Sequence, residues 1–175
     1  MKSPLWYDLF KKMRDPQVFP IMEILKKIPI FEELSSRELK KIIRIIYRRD
    51  YQEGELIFKK GQPGAAMFII NEGSAEIFID GGGKSTVLAE LERGDFFGEL
   101  ALLDDDPRSA SARALEDSSI LAFYRGDLEK LLEKDALIGS RILKKLAFVL
   151  GKRLKATNEM LMRDRETGTE DINKL

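Results

Sequence analysis

The chain has 175 residues with 30 Lys and Arg against 30 Asp and Glu, no cysteine and no histidine, a length that fits one domain with appendages. Without thiolate or imidazole it lacks the usual soft metal ligands, a cysteine nucleophile and any triad with a histidine base, so no enzyme is expected. Balanced charge argues against a nucleic-acid binder, which needs a clustered basic face, and no apolar run approaches the roughly 18 residues that cross a bilayer.

At the amino terminus, Leu5, Trp6, Leu9, Phe10 and Met13 fall at helical spacing among basic residues, which predicts an amphipathic helix over Pro4 to Met13 that packs on its own domain or on a partner. The segment meets a charge at once and carries no apolar leader, so the expected location is the cytoplasm. Asp15-Pro16 and Phe19-Pro20 separate it from a second short helix, Ile21 to Lys27, and residues 1–27 read as a helical extension. Ser35-Ser36-Arg37-Glu38 is a capping box that opens a helix from Ser36 to about Ile45.

From Tyr47 to Tyr124 the rhythm changes to short β-rich runs: Leu56 to Phe58, Met67 to Ile70, Ala75 to Ile79, Val87 to Leu91, Ser109 to Ala114 and Ser119 to Phe123. Gly, Asn and Pro clusters punctuate them. Short strands at this spacing predict an antiparallel barrel or jelly roll over residues 28–134, and hence an α+β fold: a jelly-roll β-barrel flanked by N-terminal helices and a long C-terminal helix. Gly83-Lys84-Ser85 lacks the upstream glycine of a triphosphate loop, since Phe78 stands there, and reads as a hairpin turn. Asp104-Asp105-Asp106 lacks the alternating ligands and distal glutamate of a calcium loop, and reads as a solvated turn.

The stretch Phe97-Gly98-Glu99-Leu100-Ala101-Leu102, followed by Pro107-Arg108-Ser109-Ala110-Ser111, carries the chemistry. Arginine offers a planar fork of donors that suits phosphate oxygens, and a short helix starting at Gly98-Glu99 aims free N–H groups at the same anion. Glu99 opposes a phosphate but suits a sugar hydroxyl. An ordinary capped turn beside a surface arginine is the competing reading of these residue types.

Past Phe123 the pattern is helical again, with Asp127 to Glu133 short and Ala136 to about Arg163 long. Leu143, Leu150 and Thr157 fall at heptad spacing, with Leu146 and Met160 between them and Arg153 interrupting. This predicts a lid and dimerisation helix over residues 135–165, with packing on its own barrel as the alternative. Arg165 to Leu175 reads as a frayed polar tail, with residues 166–175 flexible.

The Phe97 to Ser111 stretch resembles the phosphate-binding cassette of the cyclic nucleotide-binding domain family, F-G-E-L-A-L, a variable stretch, then P-R-[small]-A-[ST], with every fixed position filled. The resemblance runs from about Ile28 to about Asn158. It implies that Glu99 takes the ribose 2′-hydroxyl, that Arg108 pairs with the cyclic phosphate, and that Ser109, Ala110 and the backbone of Gly98, Glu99, Leu100 and Ala101 complete the cradle. Lys152 to Glu159 is similar to the dimer helix of the bacterial catabolite activator branch, which implies that Thr157 and Asn158 contact the base, one of them able to do so from the opposite subunit. The implied ligand is cyclic AMP, with cyclic GMP left open because a hydroxyl at Ser109 can also serve guanine; no metal or further cofactor is implied.

That branch continues into a winged helix-turn-helix for which the residues after the long helix leave no room. The expectation is therefore a stand-alone sensor, a homodimer through its C-terminal helix, whose output is a separate effector protein or sequestration of the nucleotide. The alternative is an interaction module that keeps the barrel but binds nothing; intact Glu99 and Arg108 argue against it.

Overall fold

The computed structural model describes residues 18–81 and 84–172, with side chains placed for residues 19–81 and 84–162. The helix expected over Pro4 to Met13 lies outside the described residues. The first described helix, α1 (Val18–Leu25), begins before the expected Ile21. Pro20 sits within its first turn, where a missing N–H breaks no intrahelical bond. The capping box holds: Ser35 Oγ accepts the Glu38 N–H at 3.3 Å while Glu38 Oε2 accepts the Ser35 N–H at 2.8 Å. It starts α2 (Ser36–Ile43), which buries Leu39 and Ile42.

Eight strands follow in the described residues: β1 (Tyr47–Tyr51), β2 (Leu56–Phe58), β3 (Ala66–Glu72), β4 (Ala75–Gly81), β5 (Lys84–Leu91), β6 (Phe96–Phe97), β7 (Ser111–Ala114) and β8 (Ser118–Tyr124). They form two four-stranded sheets, ordered β1-β8-β3-β6 and β2-β7-β4-β5, with every pairing antiparallel. This is the jelly-roll arrangement that the strand rhythm predicts. β7 starts at Ser111 rather than Ser109. The Arg108 N–H and C=O are already engaged, with Gln62 O and the Gly61 N–H, both at 2.8 Å, and cannot join the β4 ladder.

Two helices close the chain. α3 (Arg125–Lys134) begins where the Arg125 N–H donates to Ala65 O at 2.9 Å. α4 (Ala136–Ile172) runs well past the expected end at Arg163, so the stretch read as a frayed tail is helical to Ile172. No proline interrupts it, and the single Gly168 costs a helix only about 1 kcal/mol. No helix among the described residues is long and apolar enough to cross a membrane.

The larger core joins three layers. Leu25 of α1, Phe31 of the turns that follow it and Ile42 of α2 meet Met67 and Phe123 of the barrel and Ile142 and Leu146 of α4. This corrects part of the expected dimer seam: Leu146 is fully buried, and Leu143 and Leu150 pack against the same core. The apolar stripe of α4 up to Leu150 is spent on its own domain. Beyond it every residue from Gly151 to Met162 is exposed, including Leu154 and Met160. Ion pairs reinforce the packed half: Lys41 with Asp135, Arg141 Nη1 with Glu38 Oε1 at 3.0 Å, and Lys145 Nζ with Glu32 and Glu33 at 2.6 and 2.9 Å.

Candidate functional site

Gly98 turns the chain out of β6. Its φ of +70° is a left-handed conformation that side chains resist, and a Cβ there would lie 2.6 Å from Arg108 Nη1. The turn leads into a short 3₁₀ segment, Glu99–Leu102, which buries Glu99, Ala101 and Leu102 and leaves Leu100 half exposed. Gly64 lets this segment approach closely, since a Cβ there would stand 2.9 Å from the Ala101 Cβ.

Arg108 reaches into the barrel beneath that turn. Nη2 donates to Ala66 O at 2.7 Å and Nη1 to Gly98 O at 3.1 Å. The guanidinium lies 4.3 Å from the centroid of Phe58 and 5.3 Å from that of Phe68, rings that pack on one another and on Phe97. These contacts fix the cation without neutralising it. Among the described residues its Nε is the one buried side-chain donor or acceptor that lacks a hydrogen-bond partner. Burial pushes the Arg108 pKa down and the charge of Glu99 works against that shift, so an anion received here would remove a real desolvation cost.

Glu99 faces a different cation. Arg153 Nη1 of α4 pairs with its Oε1 at 2.6 Å, and Arg153 Nη2 donates to Phe96 O at 3.3 Å. A cavity of about 320 Å³ opens between the cassette and the sheets, with Phe58, Ile77 and Phe97 on its apolar side. Gly98, Glu99, Leu100, Ala101, Arg108, Ser109 and Ala110 all line it. Thr157 and Asn158 do not: both are exposed, and the Thr157 hydroxyl donates to Arg153 O at 2.9 Å. The residues that sequence reasoning missed are Arg153, Asp104, Asp106 and the aromatic floor. For Arg153 the signal was present, a cation breaking an otherwise apolar heptad position.

A larger recess, about 380 Å³, lies between Tyr47, Tyr124 and Lys130. Its cations are engaged, Arg125 with Asp105 and Lys130 with Asp127 at 3.4 Å, so the capacity to hold an anion belongs to the smaller cavity. No group of three or more acidic side chains among the described residues is placed to hold a metal ion.

A fixed, unneutralised guanidinium under a left-handed glycine, with a carboxylate across a small apolar-floored cavity, can grip a sugar phosphate. Residues 48–135, half of the chain, match the cyclic nucleotide-binding domain. The chain belongs to the cyclic nucleotide-binding domain family. It is 36% identical over 132 residues to the cyclic AMP receptor protein of Thermus thermophilus, covering 75% of this chain and 59% of that one. Against a cAMP-dependent protein kinase regulatory subunit of Mycosarcoma maydis it is 39% identical over 126 residues, 65% of this chain and 24% of that one. It therefore spans a little over half of the first relative and a quarter of the second. A solved cyclic nucleotide-binding domain from Methylobacillus flagellatus KT shares the fold, with a TM-score of 0.74 at 23% identity over 86% of this chain and 85% of that one. None of these three matches points to a catalytic family.

Proposed function

We propose that this cyclic nucleotide-binding domain takes a cyclic nucleoside monophosphate in the cavity beside Arg108, preferring cyclic AMP to cyclic GMP, and passes its occupancy to a partner through α4. The observation that carries the reading is the buried Arg108 guanidinium, whose Nε has no partner. In this reading Arg108 and the N–H groups of the 3₁₀ turn and of Ser109 and Ala110 receive the phosphate. Glu99, with Oε1 held by Arg153, offers Oε2 to the ribose 2′-hydroxyl, and Phe58, Ile77 and Phe97 lie under the rest of the nucleoside.

Thr157 and Asn158 are the proposed readers of the base. They reach it once the exposed half of α4 closes over the cavity, or from the α4 of a second copy, in which case the protein works as a homodimer through Leu154, Met160 and their neighbours. Both relatives carry cyclic AMP in their names, which supports that nucleotide as the ligand. The test is calorimetric titration with cyclic AMP and cyclic GMP, on the wild type and on Arg108→Leu. Hydrogen bonds to a charged group contribute about 1.5 to 3 kcal/mol each, so the variant should stay folded and bind at least about ten-fold more weakly. Unchanged affinity would remove Arg108 from the site, and a wild type silent to both nucleotides would end the reading.

A further inference from the structure

We propose that Asp104 and Asp106 filter ligands by charge, admitting the singly charged cyclic phosphodiester and disfavouring doubly charged phosphomonoesters such as adenosine 5′-monophosphate. The inference rests on the reading of the cavity as a cyclic-nucleotide site. Five charged residues line that cavity: Glu99, Asp104, Asp106, Arg108 and Arg153. Glu99 and Arg153 pair at 2.6 Å and cancel. What remains is one buried cation, Arg108, facing two exposed carboxylates. A site built to collect phosphate of any charge would carry surplus cations, and this one carries surplus acids.

The loop that presents the two acids is held in place. Asp104 Oδ1 accepts the Asp106 N–H at 3.3 Å, Arg125 donates to Asp104 O and pairs with Asp105, and Pro107 bridges to Pro63. The bond from the Asp106 N–H back to Asp104 Oδ1 closes an Asx-turn, which fixes the local course of the loop. Asp105 pairs with Arg125 and does not line the cavity, whereas Asp104 and Asp106 do, and neither of their carboxylates has an ion-pair partner among the described residues. Arg108 has already committed Nη1 and Nη2 to Gly98 O and Ala66 O, so it neutralises one negative charge. A second charge on the same phosphate meets the two carboxylates. Exposed charges a few ångström apart alter affinity by a few-fold each at low salt, and less as salt shortens the screening length from about 10 Å at 0.1 M to about 3 Å at 1 M.

The experiment titrates cyclic AMP and adenosine 5′-monophosphate, at low salt and at about 1 M salt, into the wild type, Asp104→Asn/Asp106→Asn, and Asp80→Asn/Glu90→Gln. The last pair changes net charge equally, at exposed positions outside the cavity lining. The ratio of the two dissociation constants should fall about three- to ten-fold in the cavity variant, chiefly through tighter binding of the 5′-monophosphate, and stay unchanged in the control pair. The wild-type ratio should also narrow at high salt, a readout that requires no variant. An unchanged ratio in Asp104→Asn/Asp106→Asn, an equal fall in the control, or a wild-type ratio indifferent to salt overturns the filter while cyclic AMP still binds. No binding of cyclic AMP by the wild type overturns the underlying reading, and the filter with it.

Discussion

Arg108 and Glu99 divide the work of the site because the protein treats their charges differently. Glu99 is given a cation, Arg153, while Arg108 is given only carbonyl oxygens and aromatic faces, so the cavity keeps one positive charge that a monoanion would match. Gly98 is where this arrangement can be tested without removing a charge. An alanine there must adopt φ of +70° and place its Cβ 2.6 Å from Arg108 Nη1. The backbone strain costs about 1–2 kcal/mol, and the guanidinium must also shift from its two carbonyls. Gly98→Ala should therefore melt lower than the wild type and bind cyclic AMP about ten-fold more weakly or worse; a variant that melts lower but binds equally well would show that the exact seat of Arg108 is not needed. Glu99→Ala should erode the preference for ribose over 2′-deoxyribose ligands, read as the ratio of their dissociation constants, and equal weakening of both would take Glu99 off the sugar. The residues of the cassette were legible in the sequence because their spacing is local, set by one turn and one loop. Arg153 showed only as a cation breaking the heptad; its partner was not legible, because α4 carries it and the packing of Ile142 and Leu146 against the barrel is what brings it to Glu99.

At the scale of elements, α4 is two helices in one. Its first half is bolted to α1 and α2 by a shared core and by ion pairs from Lys41, Arg141 and Lys145. In its second half, Arg153 reaches the barrel, pairing with Glu99 and donating to Phe96 O. The sequence predicted one dimer seam, broken at Arg153, because the heptad pattern cannot say which partner its apolar stripe will find. Six of the eight strands were read more accurately, since alternation and turn residues fix them locally; β1, charged in its middle, and the two-residue β6 carry no such pattern and were not named, and the start of β7 depended on the hydrogen bonds of Arg108 to a distant loop. The ionic clasp predicts a pH dependence. The Ser35 hydrogen bonds, with Arg141 nearby, hold the Glu38 carboxyl below its ordinary range, and the hydrogen bond from Lys145 does the same for Glu33. A depressed carboxylate contributes stability at neutral pH that is lost as pH falls through its folded-state pKa. Lys145 is shifted upward by the hydrogen bonds to Glu32 and Glu33, so its contribution persists across neutral pH and disappears only above the usual lysine range. Melting temperature should therefore fall on acidification below the ordinary glutamate range, with a shallower acid limb in Glu38→Gln than in the wild type; parallel limbs would remove Glu38 from the clasp.

For the whole molecule, the question is how filling a small cavity reaches a long exposed helix. The N-terminal helices, the barrel and the first half of α4 share a core and should respond as a body. The second half, with every described side chain from Gly151 to Met162 exposed, has little burial to oppose its movement, and Arg153 ties it to the same Glu99 that is proposed to take the ribose. A ligand that engages Glu99 therefore acts on the ion pair that ties the described part of that segment to the barrel. In the ligand-free protein, amide hydrogens of residues 152–162 should exchange faster than those of residues 138–149, since local opening is easiest where buried contacts are few. Cyclic AMP at about 100 times its dissociation constant should stabilise the fold by about 2.7 kcal/mol, which for a domain of this size raises the melting temperature by roughly 5 to 10 °C. Arg108→Leu should lose most of that rise. Arg153→Met should keep most of it, because the phosphate grip is intact, yet lose the ligand-dependent change in exchange over residues 152–162. If that variant still transmits occupancy to the helix, the Glu99–Arg153 pair is a bystander, and the route from cavity to α4 must run through the core at Leu146 and Val149 instead.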